Sequence, residues 1–238
     1  LIAEFGEMRR APIKFYDIPQ DFVNALLAAE DDNFANHSGV DLTSLVRAGT
    51  QLLRSGHIQS GGSTITMQVA KNFFLTSERS FSRKINEILL ALQIERELSK
   101  NEILELYVNK IYLGNRAYGI EAAAQVYYGK SIRDTSLSQM AMIAGLPKAP
   151  SRFNPLANAP RSKERRDWIL GRMHKLGYID QERYDAAIAE PIDASYHGPA
   201  PELEAPYIAE MVRAEMVGRY GSDAYTEGFN VTTTVPSN

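Results

Sequence analysis

Apolar residues from Pro19 to about Ala189 recur at spacings of three and four, the repeat of helices that bury one face. Phe22, Val23, Leu26 and Leu27 mark the stripe of a first helix. Asp41 can cap a second, which carries Leu42, Leu45, Val46, Leu52 and Leu53 and stops at Gly56. Ser63, after Gly61-Gly62, can cap a third. A long helix follows from about Ser80 to Glu97, with Ile85, Ile88, Leu89 and Leu92 expected inward. Ser99 with Glu102 and Ser136 with Gln139 have the spacing of capping boxes, and Gly129 reads as a helix stop. Pro147, Pro150 and Pro155 stiffen a loop before a helix from Pro160 to about Leu176.

The flanks break this pattern. Residues 1–18 read as an extended segment, with Leu1 to Phe5 and Ile13 to Phe15 as its strand-like pieces. Glu190 to Pro206 is proline-rich with few large apolar residues, so 190–238 reads as a linker. It holds one more helix, Tyr207 to Tyr220, and a β-branched strand, Val231 to Val235, whose obvious partners are the N-terminal strands. The expected fold class is mainly α, with a helical domain over 19–189 and a small β-containing region formed by the chain ends.

Composition narrows the function classes. Hydrophobic residues make up 44% of the 238 and charged residues 23%, enough for a real core. The net charge of −3 argues against a nucleic-acid partner held by a basic field. The chain has no cysteine, which excludes disulfides and thiolate-ligated zinc, and its four histidines are scattered. No run approaches the ~20 apolar residues of a spanning helix.

Three stretches can carry chemistry. Glu30 falls one turn beyond Leu26 and Leu27 on an apolar stripe, where partial desolvation should raise a carboxyl toward the range useful for proton transfer. The bland alternative is a helix-terminal acidic cluster, Glu30-Asp31-Asp32, with His37 as a structural hydrogen-bonder. Thr64, Gln68 and Lys71 share a helix face behind a glycine pair, a setting suited to phosphate or simply to an amphipathic helix. Arg79, Arg83 and Glu87 are spaced four apart with Lys84 beside them. That is either a solvated ion-pair face or a carboxylate held ionised by cations and so a poor proton donor. Tyr107 and its aromatic neighbours read as core, and Gly145 to Pro155 as a rigid wall-forming loop.

The order and spacing of these stretches are far more specific than any one of them. E-D-x-x-F-x-x-H-x-G from Glu30, G-G-S-T-I-T-x-Q-x-x-K-N from Gly61, R-K-x-x-E from Arg83, and E-x-Y-x-N to Y-x-G-K from Glu105 to Lys130 follow in turn. This series resembles the motifs of family 51 glycosyltransferases, the transglycosylase domains of class A penicillin-binding proteins and their monofunctional relatives. The likeness is close from Pro19 to Pro155. The flanks resemble those of the bifunctional enzymes, where such an end leads into a transpeptidase. The chain contains no Ser-x-x-Lys and no Lys-Thr-Gly, so no acylating serine of a penicillin target is expected in it.

The resemblance implies a lysozyme-like helical fold with a groove between a larger lobe and a smaller, membrane-facing one. The implied substrates are lipid II and the growing glycan strand, joined with inversion. The implied place is the periplasmic side of the inner membrane, reached through a single-pass anchor outside these residues. Glu30 matches the general base and Glu87 the second essential carboxylate. Lys71, Arg79 and Lys84 match the pyrophosphate-binding cations, with Ser63 and Gln68 as neutral donors. Asp31, Phe34, His37, Thr64, Asn72 and Arg83 match supporting positions. No cofactor is otherwise implied, although a magnesium or manganese ion at the pyrophosphate is compatible with the pattern. The phosphoglycolipid moenomycin is the expected inhibitor. A lysozyme-like hydrolase or lytic transglycosylase and a non-catalytic glycan or lipid binder are the rival readings. The first leaves the cationic cluster without a task, and the second leaves Glu30 and Glu87 without one.

Overall fold

A computed structural model of the protein describes residues 9–43, 46, 50, 62–74, 81–198, 205–225 and 227–234. The chain divides into two compact units, Arg10–Tyr196 and a second made of His197–Asn238 with the first nine residues.

The larger unit is built from helices α1 (Gln20–Glu30), α2 (Ile65–Phe74), α3 (Phe81–Glu97), α4 (Lys100–Lys110), α5 (Ile120–Tyr128), α6 (Leu137–Gly145), α7 (Ala159–Lys175) and α8 (Gln181–Ala189). One core runs through it, from Phe22 and Leu26 of α1 to Ile65 and Val69 of α2, Ile103 and Tyr107 of α4, Met142 of α6 and Leu170 of α7. Both expected capping boxes form, Ser99 with Glu102 and Ser136 with Gln139. Gly129 ends α5 in the left-handed region, as a stop glycine should.

The third helix begins differently from expectation. Thr64, not Ser63, is its cap: the Thr64 hydroxyl accepts from the Met67 N–H at 3.1 Å and donates to the Gly39 carbonyl at 2.6 Å. Asp41 accepts from the Thr43 N–H at 3.0 Å, and Leu42 and Thr43 are helical. Leu45, Leu52, Leu53 and Gly56 lie outside the described residues.

Helix α3 turns a different face inward. Glu87, Ala91 and Ile94 are buried, while Ile85 and Leu89 stand 58% and 59% exposed and Leu92 is also exposed. The reason is close approach. At Gly39, with φ +92°, an added Cβ would sit 2.7 Å from the Ala91 carbonyl oxygen. A glycine at 39 thus lets the loop after α1 lie directly against the α3 backbone at Ala91, and that contact holds this side of the helix inward.

The extended pieces also find unexpected partners. Ile13 is flanked by the Asn109 side chain, whose carbonyl accepts the Ile13 N–H and whose amide donates to the Ile13 carbonyl, both at 2.8 Å. The amide mimics a neighbouring strand, so no second strand is needed there. Phe15–Asp17 is a 3₁₀ turn, its first N–H bound by Glu105 at 2.9 Å. Among the described residues the only strands are β1 (Arg9–Arg10) and β2 (Ala117–Tyr118), paired with each other. Val231 to Thr234 form no strand, and Leu1 to Phe5 and Val235 lie outside the described residues.

The second unit contains α9 (Pro206–Tyr220) and a 3₁₀ turn, Gly221–Tyr225. Arg213 ties it together, pairing with Glu210 and donating to the Tyr225 hydroxyl, while Tyr220 stacks on Phe229 at 4.6 Å.

Candidate active site

The site is organised around the end of α1. Pro19 precedes the first turn of that helix, Phe22, Val23 and Leu26 seat it in the core, and Glu30 is its last residue. Burial leaves the Glu30 side chain only 12% exposed. Its Oε2 accepts from Gln68 Nε2 of α2 at 3.0 Å, and its Oε1 lies 3.6 Å from a guanidinium nitrogen of Arg165 of α7. Desolvation raises the Glu30 carboxyl above its ordinary value. The Gln68 hydrogen bond, Arg165 and Lys148 pull the other way, and Asp31 adds to the rise.

Gln68 is itself oriented. The Tyr107 hydroxyl of α4 donates to Gln68 Oε1 at 3.1 Å, which points the amide nitrogen at Glu30. Burial pushes the Tyr107 phenol well above its ordinary value, so it stays a donor.

Asp31, Phe34 and His37 frame this carboxylate. Asp31 is buried, accepts from the Ile65 N–H at 3.0 Å, and takes a hydrogen bond from His37 Nε2 at 3.0 Å. His37 Nδ1 accepts from the Gly39 N–H at 3.2 Å, which leaves Nε2 as the protonated nitrogen. The His37 ring meets Phe34 edge-on, and Lys100 sits 4.3 Å above the Phe34 ring while binding the His37 carbonyl and Glu95. Asp31 thus ties the loop after α1 to the start of α2, where a carboxylate is favoured by the exposed N–H groups and the helix dipole.

A second cluster lies beyond the other end of α2's first turns. Glu87 is buried, with one oxygen paired to Arg83 and the other to Lys84 at 2.7 Å. Lys84 also donates to the Ser63 hydroxyl at 2.8 Å. Ser63 and Gln68 therefore connect the two carboxylates through a single stretch of α2, about 6 Å of helix rise from Thr64 to Gln68. Lys71 is exposed one turn beyond Gln68, and Asn72 beside it is half-buried. Arg79 lies outside the described residues. Both Glu87 oxygens are held by cations, and no group of three or more His, Cys, Asp and Glu among the described residues is arranged to hold a metal ion.

Two cations near Glu30 had no role in the sequence reading. Lys148 belongs to the loop after α6, and partial burial lowers its ammonium, Arg165 adding to that effect while Glu30 opposes it. Arg165 projects from the middle of α7 with a side chain 7% exposed. The proline-rich loop did carry a visible lysine. Arg165, by contrast, reads as one more charge in a charged helix, Arg161 to Arg166, and no local pattern singles it out.

The family profile described as Transglycosylase matches residues 1–174. The chain is 79% identical over 237 residues to penicillin-binding protein 1A of Pseudomonas aeruginosa, covering 100% of this chain and 29% of that protein. It is 52% identical over 235 residues to penicillin-binding protein 1A of Escherichia coli, covering 99% and 28%. Among solved structures it resembles the crystal structure of penicillin-binding protein 1A from Haemophilus influenzae, with TM-score 0.58 and 40% identity over 96% of this chain and 24% of that one. The chain thus spans under a third of the length of the relatives it matches. With its mainly helical, lysozyme-like fold, the chain belongs to the transglycosylase family.

Proposed function

We propose that this chain is a peptidoglycan glycosyltransferase that polymerises lipid II into β-1,4-linked glycan strands and releases undecaprenyl pyrophosphate. The observation that carries this reading is the largely buried Glu30 carboxyl, raised by its surroundings and bound by Gln68, which shares α2 with Lys71. In the proposed step the 4-hydroxyl of the incoming lipid II attacks the anomeric carbon of the growing strand. Glu30 takes the hydroxyl proton, the bond to the pyrophosphate oxygen breaks, and the configuration inverts. A positioned base of this kind contributes typically ~10²–10⁴ in rate.

Pyrophosphate leaves as a stable anion, so the site needs positive charge at the departing oxygens rather than a proton donor. That role is assigned to Lys84, which is bound by Glu87 and Ser63, and to Lys71, exposed on the helix that carries Gln68. Glu87 then serves as an anchor for cations. The same cations are the proposed contacts of moenomycin, whose phosphate would compete with the substrate's.

A raised carboxyl is also what the acid of a glycosidase requires, which favours the hydrolase as a second reading. That chemistry needs a second free carboxylate. Asp31 is committed to His37 and Ile65, and Glu87 to Arg83 and Lys84.

The polyprenyl tail of such a substrate stays in the bilayer, which puts the site at the periplasmic face of the inner membrane. No helix among the described residues is long and apolar enough to cross a membrane. Surface contact would come from exposed apolar side chains, of which Phe73, Phe74, Ile85 and Leu89 are candidates. Leu75 lies outside the described residues.

The test is Glu30→Gln assayed with lipid II. Polymer formation should fall by at least ~10²-fold with lipid II binding retained. Weaker binding with normal turnover of the bound substrate would remove Glu30 from the chemistry, and release of glycan fragments without polymer would favour the hydrolase.

A further inference from the structure

One face of α7 grips the end of α1 through three side chains spaced i, i+3 and i+7. Arg165 donates to the Ala29 carbonyl at 3.4 Å and stands 3.6 Å from Glu30 Oε1. Arg172 donates to the Ala28 carbonyl at 3.3 Å and pairs with Asp32. Trp168 lies between them in sequence, with the Arg165 guanidinium 4.4 Å and the Arg172 guanidinium 5.6 Å from its ring. Two cations thus meet the last carbonyls of α1, where the helix dipole is negative. Arg165 Nε is buried without a hydrogen-bond partner. Most buried polar groups find a partner, so this one marks a guanidinium whose position is set by its other contacts. The guanidinium carbon lies over the Trp168 ring, and a terminal nitrogen reaches the Ala29 carbonyl and Glu30.

We infer that Arg165, stacked on Trp168, is a positioning residue for Glu30: it fixes the orientation of the carboxylate and supplies its counter-charge from within the fold. The inference rests on the reading of Glu30 as the base. The charged and polar groups facing Glu30 come from every element around it. Asp31 follows it in the chain, Gln68 comes from α2, Tyr107 from α4, Lys148 from the loop after α6 and Arg165 from α7. Burial and Asp31 favour the protonated carboxyl, whereas Gln68, Arg165 and Lys148 favour the ionised one that can accept a proton. Of the two cations, Arg165 is the buried one and the one whose guanidinium is pinned. Removing it leaves burial less opposed, so Glu30 should take up its proton at higher pH.

The experiment follows the Glu30 carboxyl carbon by NMR through a pH titration of this chain labelled with ¹³C-glutamate. The signal is assigned by its loss in Glu30→Gln. Arg165→Met, Arg165→Lys and Trp168→Leu are compared with the wild type, each first checked for a native melting transition. The midpoint should move to higher pH in Arg165→Met, move less in Trp168→Leu, and stay closest to wild type in Arg165→Lys. The acid limb of turnover should move with it, so that Arg165→Met loses roughly tenfold more turnover on the acid side than on the alkaline side, at unchanged KM. An unmoved midpoint in folded Arg165→Met overturns the inference, and a raised KM with an unmoved midpoint assigns the arginine to substrate binding instead. Should Arg165→Met fail to fold, Trp168→Leu decides on the same criteria. A midpoint that moves while the acid limb of turnover does not would keep the positioning role and remove Glu30 as the base.

Discussion

Asp31→Asn should destabilise the larger unit while leaving its hydrophobic core untouched. The Asp31 carboxylate accepts from the Ile65 N–H at 3.0 Å and from His37 Nε2 at 3.0 Å, and it lies at the positive end of α2. An asparagine keeps one acceptor and turns a donor toward a donor, whichever way its amide is flipped. One hydrogen bond is lost, worth about 1 kcal/mol, and the surviving bond falls from charged to neutral strength, about another 1 kcal/mol. Losing the negative charge at a partly buried helix N-terminus adds about 1 kcal/mol. The sum, about 3 kcal/mol, corresponds to roughly 6–12 °C in Tm for a unit of this size. Calorimetry or circular dichroism measures it directly. Polymerisation per folded molecule should also drop, because the start of the helix that carries Gln68 is no longer pinned to the loop after Glu30. A Tm within about 2 °C of wild type would refute the reasoning, since it would mean that the three contributions are absent or matched in the unfolded chain.

Two other outcomes follow from the same geometry. Glu30→Gln should be more stable than wild type at neutral pH. Because the folded-state carboxyl is raised, its contribution to stability is full below the ordinary value of 4.5 and is lost as pH rises through the raised one; urea unfolding of both proteins at acid and neutral pH should therefore show the gain vanish in acid. Phe73→Ser with Phe74→Ser should reduce flotation with anionic liposomes, provided both proteins melt alike, and equal flotation would exclude this segment as a membrane contact.

Local chemistry was legible in the sequence wherever the partners lie within one turn. Ser99 with Glu102, Ser136 with Gln139, and Arg83 and Lys84 with Glu87 are all three or four residues apart, and each forms the expected contact. The partial desolvation of Glu30 was legible too, because it follows from the stripe beneath it. What the sequence could not show depends on pieces brought together from afar. Arg165 reaches α1 across 136 residues of chain, and Asn109 takes the place of a strand beside Ile13 across 96. Helix α3 was read the wrong way round because apolar size was taken as the guide to its inner face. Its inward side follows the close approach of Gly39 to the α3 backbone at Ala91, a property of two elements and not of one.

That contrast separates the two carboxylates by how they are made. Glu87 receives Arg83 and Lys84 from its own helix, so α3 alone can assemble those two ion pairs, and Lys84 also reaches Ser63. Glu30 receives Gln68 from α2, an indirect aim from Tyr107 of α4, and positive charge from α7 and the loop after α6. Gln68, Arg165 and Lys148 oppose the desolvation of Glu30. With any of the charged or hydrogen-bonding partners missing, the carboxyl should hold its proton to higher pH and serve as a base over a narrower range. The proposed base is therefore competent only when the whole larger unit has folded, whereas the proposed anion-binding cluster is nearly complete within one helix and its neighbour. Variants that loosen the packing of α7 on α1 without touching Glu30 should then lose turnover before they lose affinity for a phosphate-bearing ligand, and variants of α3 should do the reverse.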